Sequence, residues 1–180
     1  MEDSISSILI LVLLIIMSAY FSATETAYSS LNKIKLKSIA NKGNKKAKLA
    51  LELSEKYDSV ISTILIGNNI VNIATASLAT VLFTKLLGSS GVTVSTIVMT
   101  ILILIFGEIS PKSIAKDIPE SFAIVSAPLL NVFCIILKPV NHIFCLWKKL
   151  ISKVLKIQKH SGITEDEILT IAEEAENEGG

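Results

Sequence analysis

The stretch ILILIFGEISPKSIAK, residues 101–116, closes an apolar run with a carboxylate, a proline and a lysine. Glu108 follows 22 uncharged residues, Leu86 to Gly107, and Pro111 and Lys112 come directly after it. An ionised group at such a place is costly in hydrocarbon and marks a functional position by default. Two more runs lack any charge, Ser4–Thr24 over 21 residues and Ser59–Thr84 over 26. About 20 apolar residues at about 1.5 Å each span a hydrocarbon core of roughly 30 Å, so all three runs are long enough to cross. Mean hydropathy is +0.61, and 51% of residues are hydrophobic against 18% charged, which excludes an ordinary water-soluble domain.

The expected fold is an all-α integral membrane protein with three transmembrane helices, at about 4–31, 58–87 and 92–112. The N-terminal MEDSISS is acidic, and Tyr20-Phe21 stands where small residues would define a cleavage site, so the first run is not read as a cleaved signal. Cys134 and Cys145 have no CxxC spacing and read as small apolar filler rather than a disulfide or metal pair. No nucleophile–base set and no glycine-rich phosphate loop is present, and His142 and His160 lie away from the polar motifs, so no enzyme is expected.

All 17 basic residues are lysines; eight lie between Lys33 and Lys56 and five between Lys148 and Lys159. They flank apolar runs and lack interleaved aromatics, which argues against nucleic acid as a partner and for a topological role. Short Lys-rich loops stay in the cytoplasm, so residues 32–57 are expected inside as a helical hairpin broken near Asn41–Asn44, where Gly43 makes the turn. The N-terminus is then outside, Gly88–Gly91 forms an outside turn, and the C-terminus is cytoplasmic. Residues 121–137 are also uncharged, but a fourth crossing would place five lysines outside. Pro128 and Pro139 would interrupt a single helix, so residues 117–158 are read as juxtamembrane helices belted around the spans. The transmembrane domain is thus expected over 1–160. An acidic cytoplasmic helical region begins over 161–180, where Thr164 and Glu167 form a helix-start signal, and the chain reads as cut short there.

Three polar motifs interrupt the apolar segments: FSATETA (21–27), IGNNIVN (66–72) and GEISP (107–111). Ser22 and Glu25 are one helical turn apart, and Asn68 and Asn72 share a face at i and i+4. Asn68 lies ten residues beyond Asp58, about 15 Å along the helix, while Ser22 and Glu108 come late in spans descending from outside, so all can meet at one depth. Ser22, Asn68, Asn72 and Glu108 form an all-oxygen set with one negative charge, ligand chemistry for a hard cation such as Mg²⁺, Ca²⁺ or Na⁺. Pro111 has no N–H to give the carbonyl of Gly107, which leaves a backbone oxygen beside Glu108; Gly67 offers a similar opportunity beside Asn68. Plainer readings stand beside this one: the asparagines as interhelical glue, Ser22 bonded back to its own helix, and Glu25 paired with Lys112 or reaching the headgroups.

At these motifs, through the Lys-rich hairpin and on to TEDEI…EEAENEGG, the sequence resembles the transmembrane domain of the CNNM/CorC family of magnesium transporters. The resemblance implies a homodimer in the plasma membrane, each protomer with three spans and a belt of juxtamembrane helices. An acidic helical bundle and paired CBS domains that bind ATP would follow, beyond this sequence. It implies Mg²⁺ export, proposed to be driven by Na⁺ entry, with Ser22, Asn68, Asn72 and Glu108 as ligands and backbone help from Gly67 and Gly107; Glu25, Pro111 and Lys112 are read from the sequence as structural support around them. The alternative is a membrane-anchored regulator or sensor of magnesium that does not itself transport. For a dimer face, Ala74, Ala76 and Ala79 would permit close helix contact.

Overall fold

The computed structural model describes residues 2–154, and among them every regular element is helical. Helix α1 runs Glu2–Ser30. The pair α2 (Lys33–Asn41) and α3 (Lys45–Glu55) follows, then α4 (Tyr57–Leu87) and α5 (Gly91–Leu102). A π-helical segment, Ile103–Ile109, joins α5 to α6 (Ser110–Asp117), and α7 (Pro119–Ile136) and α8 (Lys138–Val154) complete the order. By length and composition, Ile5–Ser30, the continuous stretch Tyr57–Asp117 and Pro119–Ile136 can each cross a membrane. The second of these folds back on itself at Gly88–Ser90, so it makes two antiparallel legs: Asn72 faces Glu108 and Thr80 faces Ser95. Gly88 takes φ +68°, and a Cβ on Gly91 would sit 2.4 Å from the carbonyl oxygen of Phe83, so both glycines are required for so tight a reversal.

The α2–α3 pair is a capped hairpin. Asn32 accepts from the amides of Ile34 and Lys35, Asn44 accepts from that of Ala47, and Gly43 turns the chain between them at φ +90°. The main core gathers at this hairpin end of the bundle. Phe21, Ala27, Tyr28, Leu36, Ala50, Ile64, Ala123 and Leu130 bury one another there. Many are alanines, because small side chains let helices approach closely. Toward the Gly88 end, only a small second cluster forms around Leu11, Ala79, Leu82 and Met99. Ala79 is therefore spent inside the chain and cannot face a second protomer, whereas Ala76 is exposed. Leu9, Leu13 and Ile16 on α1, and Ile73, Ile97 and Ile101 on the two legs, stay uncovered. Rows of bare aliphatic side chains on this scale require lipid as their solvent.

Helix α7 is continuous through Pro128; the chain breaks instead at Leu137, and Pro139 lies in the first turn of α8. The loss of one amide donor at Pro128 does not end the helix, because α7 is packed through Ala123, Ala127 and Leu130 on α1 and α3. Its course is fixed at both ends. Near the start, Glu120 accepts from the Asn32 amide and the Lys35 ammonium, at 3.1 and 2.9 Å. Just past the end, Asn141 donates to Thr63 Oγ1 at 2.5 Å, in the second turn of α4. Asn32 and Thr63 both belong to the hairpin end. A helix of 18 residues is about 27 Å long, so one running parallel to the spans would end near the Gly88 turn. Helix α7 lies across the bundle, with the Phe133 ring 4.9 Å from that of Phe21. Among the described residues, 142–154 belong to a separate unit, and there α8 exposes Ile143, Phe144, Leu146 and Trp147. The acidic segment expected over 161–180 lies outside the described residues.

The Lys35 hydrogen bond holds the Glu120 carboxyl below its usual range, against the opposing pull of burial. A depressed folded-state pKa contributes stability that is complete above the unfolded value, about 4.3, and is lost as pH falls through the folded one. Glu120→Gln is thus expected to lower stability by about 1 kcal/mol at neutral pH, with Lys35 largely in solvent, and to flatten the loss below pH of about 4. Thermal unfolding in detergent across pH measures both.

Candidate functional site

Midway along the bundle α1, α4 and the π-helical segment meet through polar side chains. Ser18 Oγ lies 2.8 Å from Asn72 Oδ1 and 3.2 Å from Asn68 Oδ1, and Asn72 Nδ2 reaches toward Glu108 Oε1 at 3.5 Å. The amide of Asn72 is oriented by this last contact, which turns its oxygen to Ser18. Three oxygens, Ser18 Oγ, Asn68 Oδ1 and Asn72 Oδ1, therefore share one hydroxyl proton beside a carboxylate. Such a surplus of acceptors is what a cation would satisfy. Asn69 faces the other way, exposed, and donates to the Leu65 carbonyl of its own helix.

Two glycines allow the approach. A Cβ on Gly67 would lie 2.4 Å from the Phe21 ring, and one on Gly107 would lie 3.0 Å from Ser18 Oγ. Gly107 and Glu108 sit in the π-helical stretch, where the Ser110 amide donates to the carbonyl of Ile105, five residues back. Pro111 has no amide hydrogen, so residue 111 can pair neither the Gly107 carbonyl four positions back nor the Phe106 carbonyl five back. The proline is thus answered by a widened turn, and not by a single free carbonyl in an otherwise α-helical span. Wide turns of this kind recur at functional sites because they re-aim a side chain without breaking the helix.

Of the residues singled out in the sequence, Asn68, Asn72, Glu108 and Gly107 come together. Gly67 holds α4 against Phe21 next to them. Ser22 is fully buried one turn along α1, and its hydroxyl has no hydrogen-bond partner among the described residues. Glu25 is paired with Lys112 at 3.2 Å. Ser18 was missed: it belongs to no motif and lies within the first uncharged run, and its only signal is that it precedes Ser22 by one turn on the same face. Among the described residues no three His, Cys, Asp or Glu side chains gather, so the donors are hydroxyl, amide and carboxylate oxygens. The two serines separate in a direct comparison. Ser18→Ala strands the asparagine oxygens and is expected to cost about 1–2 kcal/mol, whereas Ser22→Ala removes an unpaired buried hydroxyl and is expected to be neutral or stabilising by up to about 1 kcal/mol. Thermal unfolding in cation-free buffer distinguishes them, and equal losses would mean that Ser22 has a partner.

The family model for the cyclin M transmembrane N-terminal domain matches residues 9–180. The chain belongs to the CNNM family. Among the curated relatives of this CNNM domain, a UPF0053 protein of Haemophilus influenzae is 37% identical over 171 residues, covering 93% of this chain and 40% of that protein. The UPF0053 inner membrane protein YfjD of Escherichia coli is 44% identical over 113 residues, covering 63% and 26%. A protein of Haemophilus influenzae named as a polyamine export protein is 28% identical over 182 residues, covering 93% and 42%. The chain thus spans about two fifths or less of the length of these relatives. As a CNNM-family domain it is a multi-pass membrane protein whose relatives include one of the bacterial inner membrane.

Proposed function

We propose that this chain is the membrane-embedded part of a magnesium transporter. One Mg²⁺ is held between the spans by Asn68, Asn72 and Glu108, with Ser18 and Ser22 on the α1 side and the backbone at Gly67 and Gly107 assisting. The observation that carries this reading is the surplus of acceptor oxygens beside Glu108. Mg²⁺ gives up its water reluctantly and prefers six oxygens, so a site that strips it needs several ligands at once. One carboxylate leaves the loaded site at a net single positive charge, which permits release after a rocking motion. Export is coupled to Na⁺ entry, with Na⁺ favouring the return through overlapping oxygens.

The eight lysines around α2 and α3 support a cytoplasmic hairpin end. Three crossings follow, α1, α4 and α5 with its π-helical extension, while α7 lies at the cytoplasmic face as a belt. The unit is a homodimer in the cell membrane, and CBS domains binding ATP belong to the rest of the protein.

A second substrate has one observation in its favour, the relative named as a polyamine exporter. A set of acceptor oxygens with one carboxylate can also receive an alkylammonium group. Purified full-length protein in liposomes, assayed for Mg²⁺ and diamine flux side by side, tests the proposal. Saturable Mg²⁺ flux is expected. Diamine flux alone would replace the substrate, and cation binding without flux of either would favour a regulator.

A further inference from the structure

Toward the hairpin end, α1 and α6 are joined by an ion pair, Lys112 Nζ to Glu25 Oε2 at 3.2 Å. Glu25 stands three residues after Ser22, and Lys112 stands four after Glu108. The pair therefore sits two turns from Ser18 along α1 and one turn from Glu108 on the other helix. The Lys112 and Glu25 side chains are 41% and 28% exposed, whereas Ser18 and Ser22 are fully buried. Along α1 the Glu25 carboxylate lies nearer the hairpin end than Ser18 does. In the structure a cationic group already holds that carboxylate, the ammonium of Lys112.

We propose that Glu25 is a second, outer subsite where a hydrated divalent cation first binds, and that Lys112 is its built-in competitor. This rests on the cation reading of the deeper cluster. A divalent ion outbids a single ammonium for one carboxylate, and the flexible lysine stem lets the displaced head swing into water. When the ion moves on or leaves, the ammonium returns and closes the mouth. The competition keeps Glu25 from trapping the ion, so apparent affinity stays low enough for release.

The two halves of the pair then have opposite effects. Lys112→Met removes the competitor and is expected to lower the Mg²⁺ Kd roughly tenfold. Glu25→Gln removes the subsite and leaves an unpaired ammonium at the mouth, raising Kd roughly tenfold, both within the usual range of coupling between sites. Lys112→Arg keeps the charge and is expected to stay within about twofold. A pair that only ties α1 to α6 would shift both neutralising variants in the same direction. The experiment is Mg²⁺ titration of the full-length protein by calorimetry, with cation-free thermal stability followed in parallel; Lys112→Gln carries the same expectation should Lys112→Met fail to fold. Opposite shifts with a second Mg²⁺ equivalent appearing in Lys112→Met support the subsite; opposite shifts at unchanged stoichiometry overturn it, because charge acting on the deeper site alone produces them. Shifts of one sign, or none, overturn it while leaving the deeper site intact, and a wild-type protein blind to Mg²⁺ would sink both.

Discussion

Replacing Glu108 with glutamine is expected to abolish stabilisation by Mg²⁺ while leaving the cation-free protein at least as stable. The carboxylate is partly buried in the π-helical segment, and its contact with Asn72 is long, 3.5 Å. Without a cation it is therefore an undercompensated charge, and a neutral isostere removes that burden. With a cation it supplies the only formal negative charge in the Ser18–Asn68–Asn72–Glu108 cluster. At a cation concentration about 100 times Kd, binding stabilises the native state by about 2.7 kcal/mol. For a chain of this size that is an upward shift in Tm of about 5–10 °C, which Glu108→Gln should erase. A thermal-shift series with and without Mg²⁺ reads both halves. A variant that unfolds early without cation would show Glu108 to be structural instead.

The second large effect is expected at Gly67. A side chain there meets the Phe21 ring, with Cζ 2.4 Å and Cε1 2.7 Å from the Cβ position. Phe21 has no room to retreat, being 1% exposed and packed edge-on to Tyr20 at 5.5 Å and against Phe133 at 4.9 Å. Gly67→Val should force α1 from α4 and cost about 2–3 kcal/mol. Since Asn68 is the next residue, the shift also spoils the Ser18 contacts, and the Mg²⁺ response falls with stability. Gly43→Ala is the control. Its φ of +90° makes the change unfavourable by about 1 kcal/mol, but nothing lies within 4 Å, so the cation response should survive.

The all-α membrane class was legible because charge-free runs of 21 to 26 residues have few alternatives, and the family because its three motifs come in order. Finer features depend on packing that one chain's sequence does not display. Ser18 looks like any small residue in an apolar run until α4 is laid against α1. Pro111 announces a disturbed helix, but neither the π-helical turn that answers it nor the approach of Gly107 to Ser18 is written in the local sequence. Pro128 looked like a break because a proline usually is one; the core beneath α7 overrides it. Glu120 and Lys35, 85 positions apart, carry no local signal of their pairing.

The central claim is that oxygens from α1, α4 and the π-helical segment converge on one small divalent ion. Anomalous diffraction from crystals of the full-length protein soaked in Mn²⁺, which takes the same oxygen ligands, tests it most directly. A single peak within about 2.0–2.3 Å of oxygens from Asn68, Asn72 and Glu108, weakened by competing Mg²⁺, is the expected result. Saturating Mn²⁺ with no density between these side chains, or a peak bound only elsewhere, would contradict it.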